Sequence, residues 1–570
     1  MNINVSIGNA LERENRRYHE ESQCISCTNG TNIKNGVWTK VDELQNCSPD
    51  RIGLVHYFDG ENVMMLPFAH ELVIGSTGTG KSEVFYKNQC LLANLPKDKK
   101  PSFLFTDVKG NIHSDLAPML KNQGYNVIVY DLRNPYKSAR YNFLLQIFDD
   151  YQETVRIKKL LDVEGIGKSF DGKLYDTEKK AQVAAECKRA ALLDSIERAI
   201  NELCSIIVQD YDPKDRMWTG GARTMLGAII WTMLRDSEDP ETGMTREKFI
   251  LSNICYTAFS TGDDCEEISE WLMRAKDILC VKSAIVSNYR LRAKTTRDGY
   301  VSTLNTALGE YSSSTIGAIT STSDEIDLRK IAGGKDPYAI FVITDERQKT
   351  THNICLMFIN NLINELVMVA DSTPEHALPR DFVIMADEFA NMPPLPNLSN
   401  KITTLRSRRI WMVMAIQSIQ QLDMVYGKET SDIIQDNCDI QMFLGCNNDE
   451  TKETFARSMG KTIGVKTSFS IFNDGNISIS KGTEDVPVIR KSDLDNLTLG
   501  EFYIRARQSQ NFKGYMMPFF MRTDRLPALK DDDIDFREYN PTKNLYDINK
   551  VLEMEKAKQS PQRRSFNFDF

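Results

Sequence analysis

Glycines at 75, 78 and 80, followed directly by Lys81 and Ser82, complete the octet Gly75-Ser76-Thr77-Gly78-Thr79-Gly80-Lys81-Ser82. This spacing suits a loop wrapped around phosphate. Glycine permits a tight turn in which successive N–H groups converge on an anion, and a helix starting at the end of the loop adds partial positive charge. Lys81 is then placed to reach the outer phosphates of ATP and Ser82 to hold Mg²⁺. A second set of reactive groups lies far downstream, where the apolar run Phe382-Val-Ile-Met-Ala386 ends in Asp387-Glu388. One carboxylate at a strand end can hold Mg²⁺, while its neighbour orients and activates the water that attacks the terminal phosphate. The Asp387-Glu388 pair thus offers one oxygen ligand for Mg²⁺ beside Ser82 and one carboxylate for the water.

The next apolar run, 411–416, ends at Gln417, whose amide is positioned to sense the γ-phosphate or the attacking water. Ahead of it stands the basic cluster Leu405-Arg406-Ser407-Arg408-Arg409. Because Arg406 lies in sequence between the Asp387-Glu388 and Gln417 strand ends, it is expected near the nucleotide edge of the sheet. From there it would stabilise transition-state charge in a neighbouring subunit. A solvated helix end, or contacts to DNA phosphates, would use the same residues.

These groups need a scaffold that presents several strand ends together. Leu72, Val73 and Ile74 read as the strand entering the glycine loop, and 83–94 as the helix leaving it. The runs 102–106 and 126–130 are short, apolar and followed by Asp107 and Asp131, with a helical stretch 115–123 between them that stops at Gly124. They read as buried parallel strands of a doubly wound sheet, whose carboxyl ends face the ligand. Asp107-Val-Lys109-Gly110 sits at such an end, where it would position nucleotide or a neighbouring subunit, or cap its own loop. Further strands are expected at 339–344, 382–387, 411–417, 440–445 and 502–505, and hairpins around Asp59-Gly60 and Asp474-Gly475.

Between 150 and 311 the strand rhythm stops. Val183, Cys187, Ala190, Leu193, Ile196, Ile200, Leu203 and Ile207 recur at helical spacing, which marks one core-facing stripe of a long helix. The expected division is an N-terminal extension 1–50, a nucleotide-binding α/β part 51–149, an all-α insertion 150–311, a second α/β part 312–530 and a tail 531–570. The tail carries Gln562-Arg563-Arg564 and then Phe566, Phe568 and Phe570, which suits either a disordered end or a segment that docks on a partner.

Hydrophobic residues make up 41% and charged residues 26% of 570, the balance of a globular chain of several domains. A net charge of −9 gives no global sign of nucleic-acid binding, so DNA contact would need a local basic surface. Twelve scattered cysteines fit a reducing cytoplasm rather than a disulfide framework. Cys24 and Cys27, near His19 and Cys47, form a single Cys-x-x-Cys pair without the partner pair of a structural zinc site, so free thiols are the default. Apolar patches such as 225–234 and 410–416 fall far short of the roughly 20 residues a spanning helix needs. No transmembrane segment is therefore expected.

The glycine loop, the Asp107-Val-Lys-Gly110 turn, Ala386-Asp-Glu-Phe-Ala-Asn-Met-Pro393, Leu405-Arg-Ser-Arg408, Gln417, and Asp436-Asn-Cys-Asp439 with Phe443-Leu-Gly445 together resemble type IV coupling proteins. These are ring-forming ATPases of bacterial conjugation and type IV secretion. The resemblance covers about residues 50 to 525. It implies an α/β fold, a P-loop NTPase of RecA-like type whose mostly parallel sheet is interrupted by a large all-α insertion, with ATP and Mg²⁺ as cofactors. It implies Lys81 and Ser82 on phosphate and Mg²⁺, Asp387 on Mg²⁺, Glu388 as catalytic carboxylate, Gln417 as sensor and Arg406 as finger. The implied partners are single-stranded DNA, a relaxase, type IV secretion channel ATPases and membrane components, and further copies of the chain in a homo-hexamer. Many members begin with transmembrane helices whereas none is expected here, so this chain is expected in the cytoplasm, brought to the inner face of the bacterial membrane by partners. A duplex-DNA translocase, or a secretion receptor that uses nucleotide only to assemble, would share the same ATP-site residues.

Overall fold

The computed structural model describes residues 36–559 apart from 48–51, 168, 211–212, 261–264, 346, 348, 472–476, 508, 530–536 and 541–542. Cys24 and Cys27, the Asp474-Gly475 turn and Phe566, Phe568 and Phe570 lie outside the described residues. Strands β1 (Val37–Lys40), β2 (Gly53–Phe58) and β3 (Asn62–Pro67) form a small antiparallel sheet in the order β1-β3-β2. The Asp59-Gly60 turn joins β2 to β3. Gly60 sits at φ 110°, and Asp59 Oδ1 accepts the N–H groups of Glu61 at 3.0 Å and Asn62 at 2.8 Å, the self-capping for which aspartate favours turns. Strand β1 falls in the stretch that reads as weakly patterned, because a four-residue edge strand carries too few residues to show a period.

The large sheet contains β4 (Glu71–Gly75), β5 (Ser102–Asp107), β6 (Asn126–Asp131), β7 (Tyr338–Ile343), β8 (Phe382–Ala386), β9 (Ile410–Ile416) and β10 (Ile440–Gly445). After a separate antiparallel hairpin of β11 (Lys461–Ile471) and β12 (Ile477–Pro487), the chain adds β13 (Glu501–Ala506) and β14 (Phe512–Tyr515). The order is β14-β13-β10-β4-β9-β8-β5-β7-β6. From β10 to β7 the pairings are parallel, and β13 and β14 run antiparallel at one end. Every residue of β4, β5, β7, β8 and β9 is buried. Sheets covered on both faces read as continuous apolar runs for this reason. β6, expected as a buried strand, instead ends the sheet and is mostly partly exposed.

The chain forms two compact units. The first takes the chain to Val129, Leu328–Thr344 and Leu362–Asp533; the second takes Tyr130–Asp327, Asp345–Asn361 and the chain from Ile534 onward. The second unit is thus wider than the expected 150–311 insertion. Its core is helical, with Leu145–Lys159, Glu178–Ile207, Arg216–Asp236 and Lys294–Gly309 as long members. In Glu178–Ile207 the expected stripe is buried at Ile196, Ile200, Leu203 and Ile207, but Val183 and Cys187 are exposed. Over the first turns the buried line runs through Ala181 and Ala185 instead.

The stretch expected as a tail also supplies structure to this unit: Tyr546 is buried and Ile548–Gln559 is a helix. The anchor is Asp236, a buried carboxylate that accepts from Trp271 Nε1 at 2.8 Å, from Arg274 and from the Tyr546 hydroxyl. A buried charge needs this density of partners to be tolerated.

One helix among the described residues, over Thr350–Ser372, is long and apolar enough to cross a membrane by length and composition, with mean hydropathy 1.5. Of its apolar window 72% is buried within the protein, the environment of a core helix. It does not stand out as an apolar run in the sequence because His352, Asn353, Asn360, Asn361, Asn364 and Glu365 interrupt it.

Candidate nucleotide site

Strands β4, β9, β8 and β5 lie side by side and parallel, with Ile74 opposite Ile416, Ala386 opposite Met414 and Thr106 opposite Ala386. Their carboxyl ends therefore share one edge. That edge brings together the glycine loop, Gln417, Asp387-Glu388 and Asp107, which are hundreds of residues apart in the chain.

The loop is braced from β10. Ser76 N–H donates to Gly445 O at 2.8 Å, and Asn447 N–H donates to the Ser76 hydroxyl at 3.2 Å. Gly78 and Gly80 take φ of 88° and 91°, a conformation costly to any residue with a Cβ. At Gly75 the constraint is space: a Cβ there would stand 2.5 Å from Thr79 Oγ1. Thr79 Oγ1 in turn donates to Ser76 O at 2.9 Å, closing the loop on itself. Helical winding starts at Lys81, two residues ahead of the expected start, and runs as a wide-turned segment Lys81–Tyr86 and a tight one Lys87–Asn94. The buried Tyr86 hydroxyl donates to Ala386 O at 3.0 Å and lies 3.3 Å from Val413 O, tying this helix to β8 and β9.

The Lys81 ammonium folds back on the loop, donating to Gly75 O at 2.7 Å. Burial lowers its pKa against the opposing pull of Asp387 and Glu388. Ser82 Oγ donates to Asp387 Oδ2 at 3.1 Å, and Thr106 Oγ1 holds the Asp387 carbonyl at 3.1 Å. Although Asp387 as a residue retains some exposure, its Oδ1 is sealed from solvent and has no hydrogen-bond partner. Burial pushes this carboxyl up to about 6, with Lys81 pulling the other way and Glu388 adding to the rise. A sealed carboxylate oxygen beside a serine hydroxyl is an oxygen donor set that fits a small hard cation such as Mg²⁺.

Glu388 stands at φ 54° in the left-handed region, held there as the chain leaves β8 through the short turn Phe389–Asn391. Its Oε2 accepts from Asn391 Nδ2 at 2.6 Å. Gln417 lies at the same edge, its N–H donating to Gln421 Oε1 at 3.1 Å and its carbonyl accepting from Cys446 Sγ at 3.2 Å. Asp107 spends both oxygens on its own loop, accepting from Gly110 N–H at 2.8 Å and His113 N–H at 2.7 Å. Of the two readings of that turn, loop capping describes these bonds.

Arg406 is not at this edge. It precedes β9, and because β9 runs parallel to β4 and β8 its start lies at the far side of the sheet from the phosphate loop. There Arg406 Nη2 contacts Asp439 Oδ2 at 2.7 Å, just before β10 begins. The neighbouring His70, ahead of β4, is lowered to about 4 by burial and then by Arg406. The expectation failed because it used position between two strand ends without strand direction. In a parallel sheet, the residue entering the next strand has already crossed to the opposite edge.

Sequence reasoning passed over Asn391, Gln421 and Tyr86. Asn391 lies within a segment read for its acidic pair, and neither Gln421 nor Tyr86 carries a motif.

A family model described as type IV secretory system conjugative DNA transfer matches residues 27–486. The chain belongs to that family. No curated protein sequence matches the chain. Among solved structures, the bacterial conjugative coupling protein TrwBdeltaN70 in its unbound monoclinic form is 16% identical, covers 90% of this chain and 97% of its own, and superposes with a TM-score of 0.55. TrwB with the non-hydrolysable ATP analogue ADPNP is 15% identical over 88% of this chain and 98% of that one, TM-score 0.53. TrwB with ADP and Mg²⁺ is 16% identical over 89% and 98%, TM-score 0.53. This conjugative DNA-transfer family member shares the TrwB fold, a RecA-like P-loop NTPase with a mostly parallel sheet and an all-α unit.

Proposed function

We propose that this chain is the ATP-hydrolysing coupling protein of a conjugative system, recruiting relaxase-bound single-stranded DNA and driving it to a type IV secretion channel. The observation that carries the reading is the gathering of Lys81, Ser82, Asp387 and Glu388 on one sheet edge, with Asp387 Oδ1 buried and unpartnered, in a chain of the conjugative DNA-transfer family. The TrwB complexes with ADPNP and with ADP and Mg²⁺ make ATP and Mg²⁺ the ligands of choice.

The loop amides at 75–80 bind the phosphates, and Lys81 exchanges the Gly75 carbonyl for the outer phosphates, so its present contact marks where the ammonium waits. Ser82 and Asp387 would hold Mg²⁺, which when bound would supply charge neutralisation on the transferring phosphate. Glu388 accepts the proton of the attacking water, and Gln417 reads the phosphate state from the neighbouring strand end. Arg406 is the residue that completes a different subunit's site. Its place at the opposite edge of its own sheet suits a finger acting across an interface of a homo-hexamer, with Asp439 holding it meanwhile. Residues 150–311 serve relaxase and DNA contact, and recruitment to the membrane falls to channel components.

The test is ATP turnover by the purified chain with and without single-stranded DNA. Turnover that rises with DNA, disappears in Lys81→Ala, and falls at least about 100-fold in Glu388→Gln with nucleotide binding retained is the expected pattern. Full turnover in Lys81→Ala would sink the assignment.

A further inference from the structure

Glu388 does not stand free to act as a base. Its Oε2 is the acceptor of Asn391 Nδ2 at 2.6 Å, Asn391 Oδ1 accepts from Gln421 Nε2 at 2.6 Å, and Gln421 Oε1 accepts the backbone N–H of Gln417 at 3.1 Å. This unbroken line of amides joins the end of β8 to the end of β9. It continues through the helix Ile419–Tyr426, where Ile419 N–H donates to Thr451 Oγ1 at 3.2 Å and Thr451 Oγ1 donates to Gln420 Oε1 at 2.6 Å. Thr451 belongs to the helix Asp449–Ser458, which leads directly into the β11–β12 hairpin.

A carboxylate oxygen that accepts an amide N–H is fixed in direction and has that site occupied, so it is not turned towards an attacking water. Glu388 also holds a left-handed φ of 54°, and its carbonyl is closed by Asn391 N–H at 2.8 Å. Backbone strain of this kind persists where the surroundings over-determine it and clusters at switch positions. Asn391 supplies both closing bonds, one from its backbone and one from its side chain.

We propose that Asn391 is a positioning residue that restrains Glu388, and that Gln421 transmits the state of Gln417 to it, so that the carboxylate is released for proton abstraction only when the end of β9 moves. This rests on the reading of Glu388 as the base. It adds a check on hydrolysis: ATP can be bound while the base is still clamped, and a displacement of β9, or of the Asp449–Ser458 helix through Thr451, opens the clamp. Two features suit such a relay. Each amide in the line both donates and accepts, so turning one unseats the next. Asn391 is itself exposed, so its partner can be exchanged for water at small cost.

The experiment compares wild type, Asn391→Ala, Gln421→Ala and the double variant. It measures ATP turnover without and with a single-stranded oligonucleotide, and nucleotide affinity with a fluorescent ADP. Loss of the clamp is expected to raise DNA-free turnover about tenfold, the effect of one charge-assisted hydrogen bond on a barrier. The ratio of stimulated to basal turnover should fall correspondingly, and ADP affinity should not change. The double variant should do no more than either single, because both cut one line. Asn391→Gln, which keeps an amide in reach, should restore part of the restraint. Basal turnover unchanged or lowered in Asn391→Ala, or additive effects in the double variant, would overturn the clamp while leaving the proposed function standing. A wild-type chain with no ATP turnover under any condition would overturn the function and the clamp with it.

Discussion

Asp387 is a residue whose removal should make the protein more stable. Its carboxyl titrates at 3.8 when unperturbed and is pushed up to about 6 in the fold by burial. A gap of about two pH units is worth ~3 kcal/mol between the two states. Because the folded value is the higher one, the folded chain binds the proton more tightly. The term is absent below about pH 4, where both states are protonated, and grows as the pH rises. It is a full destabilisation above about pH 6, where the folded protein must hold an ion in a sealed position. Asp387→Asn keeps the shape and removes the charge.

Free of Mg²⁺ and nucleotide, the variant should therefore outlast wild type by ~3 kcal/mol at pH 7.5 and by only about 1 kcal/mol at pH 4.5. For a unit of this size that is a melting temperature higher by on the order of 5 °C at pH 7.5. Thermal unfolding in EDTA followed by circular dichroism at the two pH values reads it directly. Added Mg²⁺ should then stabilise wild type and leave Asp387→Asn unmoved, since stabilisation follows binding to the folded form. A variant less stable than wild type at pH 7.5, or an advantage that does not shrink at pH 4.5, would refute the idea that the site is held under electrostatic tension for a cation.

Other outcomes can be checked in parallel. Mixing Lys81→Ala with Arg406→Ala subunits should recover turnover that neither has alone, if Arg406 serves a neighbour; no recovery despite co-assembly would place its role within its own subunit or on DNA. Since Arg406→Ala also leaves the buried Asp439 without its 2.7 Å partner, Arg406→Lys belongs beside it, expected to keep stability and still lose turnover because an ammonium lacks the planar fork. Arg522 is buried between Asp524, Asn88 Oδ1 at 3.1 Å and the rings of Phe58 and Phe519. Arg522→Ala should cost about 2–4 kcal/mol, seen as a lowered denaturation midpoint.

How much of this could be read from the chain varied with the kind of signal. The strands were legible because burial on both faces turns each into a continuous apolar run, as in Phe382–Ala386 and Ile410–Ile416. The gathering of Lys81, Ser82, Asp387, Glu388 and Gln417 at one edge was legible because each stands at or just past the carboxyl end of an apolar strand run. Arg406 was misplaced because the edge a residue occupies depends on strand direction, which local pattern does not carry. Asn391 and Gln421 were invisible because ordinary polar residues gain meaning only from a contact across 30 positions. Tyr546 and the helix Ile548–Gln559 escaped notice because the surrounding charges read as solvated chain, whereas a single buried aspartate, Asp236, draws the tyrosine inward.

The neighbouring places of β6 and β7 at one border of the sheet bear on how such a chain could arise and fold. The chain leaves the sheet at Asp131, the carboxyl end of β6, and re-enters it at Tyr338, the amino end of the adjacent β7. Asn126 N–H donates to Pro337 O at 3.0 Å, so the two strands start side by side and the points of departure and return lie about one strand length apart, ~20 Å. A segment tethered this way can be lengthened, shortened or exchanged for another without altering the strand order, because any replacement whose ends span one strand length will serve. Loop closure costs little more for a long excursion than for a short one, each doubling adding only about 0.6 kcal/mol. The border position makes the helical part a replaceable cassette, open to change as cargo changes, while the strands carrying the phosphate loop stay the same.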